Sequence, residues 1–82
     1  MSVVEYLVIL NATRSCKDGL SEVRGFYKDV LPFEEGTTRN TILTTCQDTL
    51  DVAFFRKRYG DHVDYNEPAT INFWYCEPNQ LG

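Results

Sequence analysis

The sequence lacks the residues that several common kinds of site require. It has one histidine, His62, and three cysteines without C-x-x-C spacing, Cys16, Cys46 and Cys76. An odd number of unpaired cysteines argues against a disulfide framework and against a structural zinc site. We therefore expect free thiols in a reducing compartment, with no metal and no tightly bound cofactor.

Positive charge and long apolar runs are also scarce. The net charge is -4, and the one basic run clear of acids is Arg56-Lys57-Arg58. Nucleic-acid binding needs a broad basic face, so nucleic acid is not expected as a partner. The apolar run VVEYLVIL is interrupted by Glu5, is too short to cross a membrane and follows no basic segment of the signal-peptide kind. These features predict a soluble cytoplasmic protein that binds no membrane.

The common nucleotide-binding and hydrolase motifs are missing too. The chain contains no G-x-S-x-G, P-loop, G-x-G-x-x-G or H-E-x-x-H sequence, which excludes those enzyme classes. What is present is an 82-residue chain that is 43% hydrophobic and 13% aromatic. This predicts a single domain over residues 1–82 with one modest core. So many aromatic residues on so small a domain predict rings in a cleft or an interface.

Residue patterns predict three strands. VVEYLVILNA at 3–12 and ATINFWYC at 69–76 are rich in β-branched and aromatic residues. TILTTCQ at 41–47 has four β-branched residues in seven, with Ile42, Thr44 and Cys46 on one face of the expected strand. Together these segments predict a β-sheet.

A helix is predicted over residues 18–32, DGLSEVRGFYKDVLP. Its apolar residues fall at spacings of three, four and three, which is typical of one stripe of a 3.6-residue period. Pro32 cannot continue a helix and marks its end. The stripe consists of Leu20, Val23, Tyr27 and Val30.

Residues 46–65, CQDTLDVAFFRKRYGDHVDY, have two interpretations. One is a helix that Asp48 opens and Gly60 closes. The other is a strand end, a turn, a second strand at 52–58 and a short helix around 61–67, with Asp48 and Asp51 as turn residues. Local propensity does not decide between them.

Several short motifs resemble the antibiotic-biosynthesis monooxygenase family. Leu31-Pro32 stands where that family ends its first helix, and Cys46-Gln47-Asp48 follows an expected strand. The run 57–61, Lys-Arg-Tyr-Gly-Asp, stands where the family has a Trp-containing run, and Asp64-Tyr65 lies in the helix after it. The chain departs from the pattern because Tyr59 replaces the expected Trp and Gly60 the expected Glu.

The resemblance implies an α+β fold with an antiparallel sheet in a ferredoxin-like order, β-α-β-β-(short α)-β, and a homodimer that forms an α+β barrel. It selects the strand-turn-strand interpretation of residues 46–65. It also implies a cofactor-independent oxygenase, or a protein that binds an aromatic small molecule in a cleft between sheet and helices.

Three residues are candidates for such a cleft. Tyr59 takes the place of the family's Trp, where it would stack on a planar ligand or pack at the rim of the first helix. Asn11 ends the first strand, where its amide would point into the cleft or cap the loop after it. His62 lies beside Asp61 and Asp64, as a proton shuttle or as a solvated histidine.

Two other interpretations remain open, as does the question of whether the protein is an enzyme. The first is a protein-interaction module that contacts a partner or a second copy through the aromatic segment 72–75, NFWY. The second is a thioredoxin-like fragment without a C-x-x-C site, in which the Glu67–Pro68 bond would be cis. Cys16, in RSCK, is either a reactive thiol or a structural residue.

Overall fold

A computed structural model describes residues 2–79 of the chain. Its elements follow in the order β-β-α-β, and the three strands form one antiparallel sheet with strand order β2-β1-β3. The α+β class and the antiparallel sheet are therefore confirmed, whereas the ferredoxin-like element order predicted from the sequence does not match these elements. The strands are β1 (Val3–Ser15), β2 (Glu22–Glu34) and β3 (Thr70–Pro78).

A long hairpin takes the place of the predicted strand and helix. β1 and β2 pair along 13 residues each, from Val3 opposite Glu34 to Ser15 opposite Glu22. The helix predicted over 18–32 is wrong, because Val23 and Tyr27 lie on one face of the strand and Val30 on the other. Leu20 lies in the hairpin turn and is 92% exposed. Pairing with β1 satisfies the whole β2 backbone on one side, and this long-range contact outweighs the local spacing.

The hairpin turn depends on the side chain of Asp18. Its carboxylate accepts hydrogen bonds from the backbone N–H groups of Leu20 at 2.8 Å and Ser21 at 2.9 Å. These bonds hold the pKa of Asp18 below its ordinary value of 3.8. Gly19 takes a positive φ of 74°, a conformation that glycine adopts without steric cost.

The middle of the chain, residues 39–62, folds as one helical stretch. It consists of α1 (Arg39–Leu50), a π-helical turn (Asp51–Phe55), α2 (Arg56–Tyr59) and a 3-10 turn (Gly60–His62). The strands predicted at 41–47 and 52–58 are therefore wrong, and so is the helix predicted at 61–67 beyond the 3-10 turn. Asp48, predicted as a turn residue, lies inside α1.

Threonine hydroxyls explain how a β-branched segment forms α1. Those of Thr44, Thr45 and Thr49 each donate to the backbone carbonyl four residues earlier, at 2.9–3.0 Å. The Thr38 side chain caps the helix start by accepting from the Thr41 N–H. The apolar residues Ile42, Cys46 and Leu50 are buried at spacings of four.

In the π-helical turn, the next buried residue follows the last one of α1 after five positions instead of four. Phe55 follows Leu50 in the core, and both side chains are buried. Its ring lies against the backbone of Gly25 in β2, where a Cβ atom would come within 2.7 Å of Phe55 Cζ. Gly25 is therefore the residue that lets the ring reach the sheet.

The core lies between this helical stretch and one face of the sheet. Even-numbered residues of β1 point toward the helix, because side chains alternate along a strand. The buried apolar cluster consists of Val8, Leu10, Ala12, Ile42, Cys46, Leu50, Phe55 and Cys76.

The last strand agrees with the prediction at 69–76 within two residues. β3 pairs with β1 along the side opposite to β2, with a register shift at Asn11 and Ala12. All peptide bonds described over residues 2–79 are trans, Glu67–Pro68 among them, which argues against the thioredoxin-like interpretation.

Replacing Gly25 by alanine tests the close contact with Phe55. We expect the free energy of unfolding to fall by about 1–3 kcal/mol, as for overpacked cores. The double variant Gly25→Ala/Phe55→Leu should recover part of the loss, because a smaller side chain makes room for the new methyl group. Chemical denaturation measures both, with Arg24→Ala in the same strand as the control at about 0.5 kcal/mol or less. Wild-type stability for Gly25→Ala would contradict the contact.

Acid titration tests the hairpin turn. Because the folded-state pKa of Asp18 is lowered, its contribution is present above pH 3.8 and is lost as the pH falls through the lower folded value. The amide resonances of Leu20 and Ser21 should shift in that range. Asp18→Asn should abolish the shift, and an unchanged titration in that variant would contradict the assignment.

Candidate functional interface

Within residues 2–79, one face of the sheet carries no helix, and we call it the open face. It is formed by the odd-numbered residues of β1 and by the side chains that lie beside them on the neighbouring strands. Its members are Leu7, Ile9, Asn11 and Thr13 on β1, Arg24, Phe26, Lys28 and Val30 on β2, and Phe73, Tyr75 and Glu77 on β3.

Large apolar side chains on the open face are exposed to solvent. Phe26 is 58% exposed, Phe73 53% and Tyr75 39%. The register places Phe26 and Phe73 on either side of Asn11, so aromatic rings of the open face lie on both outer strands. Contiguous exposed apolar surface of this kind typically marks an interaction site on a small protein.

The hairpin-turn end of the open face is polar. The Asn72 side-chain amide donates to Asn11 Oδ1 at 3.0 Å and to Thr13 Oγ1 at 2.7 Å. Beside them lies an open groove of about 470 Å³, lined by Thr13, Glu22, Val23, Arg24, Thr70 and Asn72. The open face thus combines an apolar middle with a hydrogen-bonding end.

The three residues predicted to share a cleft lie in different surroundings. Asn11 is on the open face, bonded to Asn72. Tyr59 ends α2 and packs edge-on against Phe54, with ring centroids 6.0 Å apart. His62 belongs to the 3-10 turn, where its carbonyl accepts from the Lys17 N–H at 2.8 Å. Their catalytic role remains a prediction.

His62 lines a second cavity of about 310 Å³ near the hairpin turn. Cys16, Lys17, Asp18, Ser21 and Asp61 complete its wall. Cys16 forms an antiparallel bridge with the buried Val63. Cys16 and His62 thus border the same cavity, and the backbone of Cys16 is held by its bridge to Val63.

Sequence reasoning missed the most extensive polar network. The guanidinium of Arg14 binds both carboxylate oxygens of Asp51, at 2.9 and 2.8 Å, and donates to the Glu67 carbonyl at 2.8 Å. Gln47 donates to the same Asp51 carboxylate at 3.0 Å. The sequence does contain a signal for it. Side chains alternate along a strand, so the even-numbered Arg14 lies on the same inward face of β1 as Val8, Leu10 and Ala12.

Tyr65 lies over this network. The guanidinium carbons of Arg56 and Arg14 are 4.0 and 5.3 Å from its ring centroid, an arrangement that attracts cations to the ring face. Burial raises the pKa of Tyr65. The network ties the helical stretch and the loop before β3 to β1, which is a structural role.

Metal ligands and reactive thiols are not assembled in the described part of the chain. Residues 2–79 contain no group of three or more His, Cys, Asp or Glu side chains that could hold a metal ion. Burial raises the pKa of Cys46 to about 11 and also raises that of Cys76. These two thiols pack as small apolar groups in the core.

Comparison with models of protein families, with curated proteins and with solved structures gives no match in any of the three. Across residues 2–79, no helix has the length and apolar character needed to cross a membrane. The fold and the interface define a small α+β protein with one covered and one open sheet face.

Breaking the buried ion pair should destabilise the protein strongly. Asp51→Asn leaves the Arg14 charge in a site where the two side chains are only 8% and 14% exposed, so we expect a loss of about 3 kcal/mol. The double variant Arg14→Met/Asp51→Leu should be more stable than Asp51→Asn, because no buried charge remains. Urea denaturation measures both.

The chain offers a matched control for that experiment. Arg39 and Glu77 also form an ion pair, but their side chains are 62% and 47% exposed. Glu77→Gln should therefore change stability by about 1 kcal/mol or less. Equal losses for Asp51→Asn and Glu77→Gln would contradict the importance of the buried pair.

Proposed function

We propose that this protein is an interaction module that pairs with a second copy of itself through the open face. The observation that supports this most is the exposure of Phe26, Phe73 and Tyr75 on one side of a sheet whose other side is buried. A three-stranded sheet with one apolar face in water gains free energy when that face is covered.

The dimensions of the molecule favour a partner with a flat apolar face, such as a second copy. The chain extends 45 × 20 × 19 Å, so one long side is comparable with the ~800 Å² that each partner buries in a standard interface. A second copy has a face of the same length and composition. Face-to-face pairing of two sheets in this way is common in proteins.

The homodimer implied by the family resemblance is thus kept as a proposal, although only two of the three strands that form the sheet are the predicted ones. The oxygenase activity has less support, because Asn11, Tyr59 and His62 lie in different surroundings. His62 also borders a cavity whose wall includes neither Asn11 nor Tyr59.

Binding of an aromatic small molecule is a second candidate, favoured by one observation. The amide of Asn11 lies between Phe26 and Phe73, so a planar ring with a polar substituent could stack on either phenyl group and bond to the amide. Such a ligand would occupy the same open face. It would therefore compete with a second copy, which the experiment below detects.

Light scattering tests the pairing. At micromolar concentration the wild-type protein should have twice its monomer mass of 9.5 kDa. Phe73→Asp should weaken the dimer at least tenfold, about 1.4 kcal/mol, because it buries a charge in the centre of the interface. It should leave the fold intact, since Phe73 is exposed in the monomer.

Leu20→Asp is the matched control, because Leu20 is an exposed apolar residue in the hairpin turn. Its dimer should be as strong as wild type. A monomeric wild-type protein, or equal weakening by both variants, would refute self-pairing through the open face. A dimer that phenol or another planar aromatic compound dissociates would add support to the second candidate.

A further inference from the structure

This inference rests on the proposed function. We infer that the two-fold axis of the dimer runs along β1, so that β2 of each copy lies over β3 of its partner. The interface is then completed by residues from both copies. The argument depends on the register of the three strands and on the position of one charge.

The register arranges the open face in rows that cross all three strands. The central row has Ile9 between Lys28 and Tyr75. The rows on either side are Asn11 between Phe26 and Phe73, and Leu7 between Val30 and Glu77. The apolar surface is therefore centred on the Ile9 row. The apolar area that a dimer buries is greatest when the Ile9 rows of the two copies overlap.

Two symmetric arrangements bring these central rows together. Symmetric dimers bury the same patch on both copies around a two-fold axis, which here lies in the plane between the sheets. An axis along the strands places each row over the same row of the partner and places β2 over the partner's β3. An axis across the strands reverses the order of the rows and keeps β2 over the partner's β2.

The position of Lys28 distinguishes the two arrangements. With the axis across the strands, Lys28 faces the partner's Lys28 inside a desolvated interface, where like charges repel. With the axis along the strands, Lys28 faces the ring of the partner's Tyr75, a favourable cation–π arrangement.

The aromatic residues favour the same arrangement. With the axis along the strands, Phe26 lies over the partner's Phe73, and symmetry repeats the contact. Aromatic pairs add stabilisation beyond the area they bury. Packed sheets keep their strands within about 30° of each other, which lets the contacts of the central rows form together.

Distances between spin labels test the axis. A label on Ser15→Cys lies at the exposed end of β1, and one on Val3→Cys at the other end, each in a Cys16→Ser background. Cys46 and Cys76 are buried and should not react. With the axis along β1, the two labels in a dimer should be about 20 Å apart or less, because packed sheets lie about 10 Å apart.

The alternative axis gives a clearly different distance. It places Ser15 over the partner's Val3, so two labels on Ser15 would lie about 40 Å apart, the length of twelve strand residues. Electron paramagnetic resonance measures both distances, and light scattering on the same samples gives the oligomeric state. Short distances for both labelled positions support the inference.

The other outcomes separate this inference from the proposed function. A dimer whose labels lie more than about 30 Å apart refutes the axis along β1 but leaves pairing through the open face in place. A wild-type protein that is monomeric by light scattering refutes the proposed function and this inference with it. The Val3 label repeats the measurement if the Ser15 variant does not fold.

Discussion

One helical stretch covers one face of a three-stranded sheet, and the rest of the structure depends on that packing. The stretch from Arg39 to Tyr59 contributes Ile42, Cys46, Leu50 and Phe55 to the core, and β1 contributes its even-numbered residues. A chain of this length has no second helix over the other side of the sheet in the described residues. The open face, with its exposed aromatic residues, is a direct consequence.

Two local features keep the helical stretch in place. The π-helical turn adds one residue to the spacing of the buried stripe, which brings Phe55 onto Gly25. The Arg14–Asp51 pair then fixes the start of the same turn to β1, and the Glu67 carbonyl brings the loop before β3 to the same guanidinium. Irregular helical turns persist where surrounding contacts hold them, and both kinds of contact converge here.

The two ends of the sequence were predictable; in the middle, only the helical interpretation of residues 46–65, one of the two that the sequence left open, agrees with the structure. The segments 3–12 and 69–76 have β-branched and aromatic residues that few other structures accommodate, and both form strands. The segment 18–32 has helical spacing by coincidence, while its pairing with β1 is a long-range contact that no local pattern reveals. In 41–47, the spacing of four between Ile42 and Cys46 was present, but the threonines favoured a strand on propensity alone.

The sequence by itself determined two of the three strands, the acidic balance and the large share of aromatic residues that predicted a cleft or an interface. Only the tertiary structure decided which aromatic residues are exposed together, because the faces of a strand depend on its partners. It also separated Asn11, Tyr59 and His62, and it joined Arg14 to Asp51 across 37 positions of the chain. A side chain's neighbours in space follow from strand register and helix packing, which local sequence does not specify.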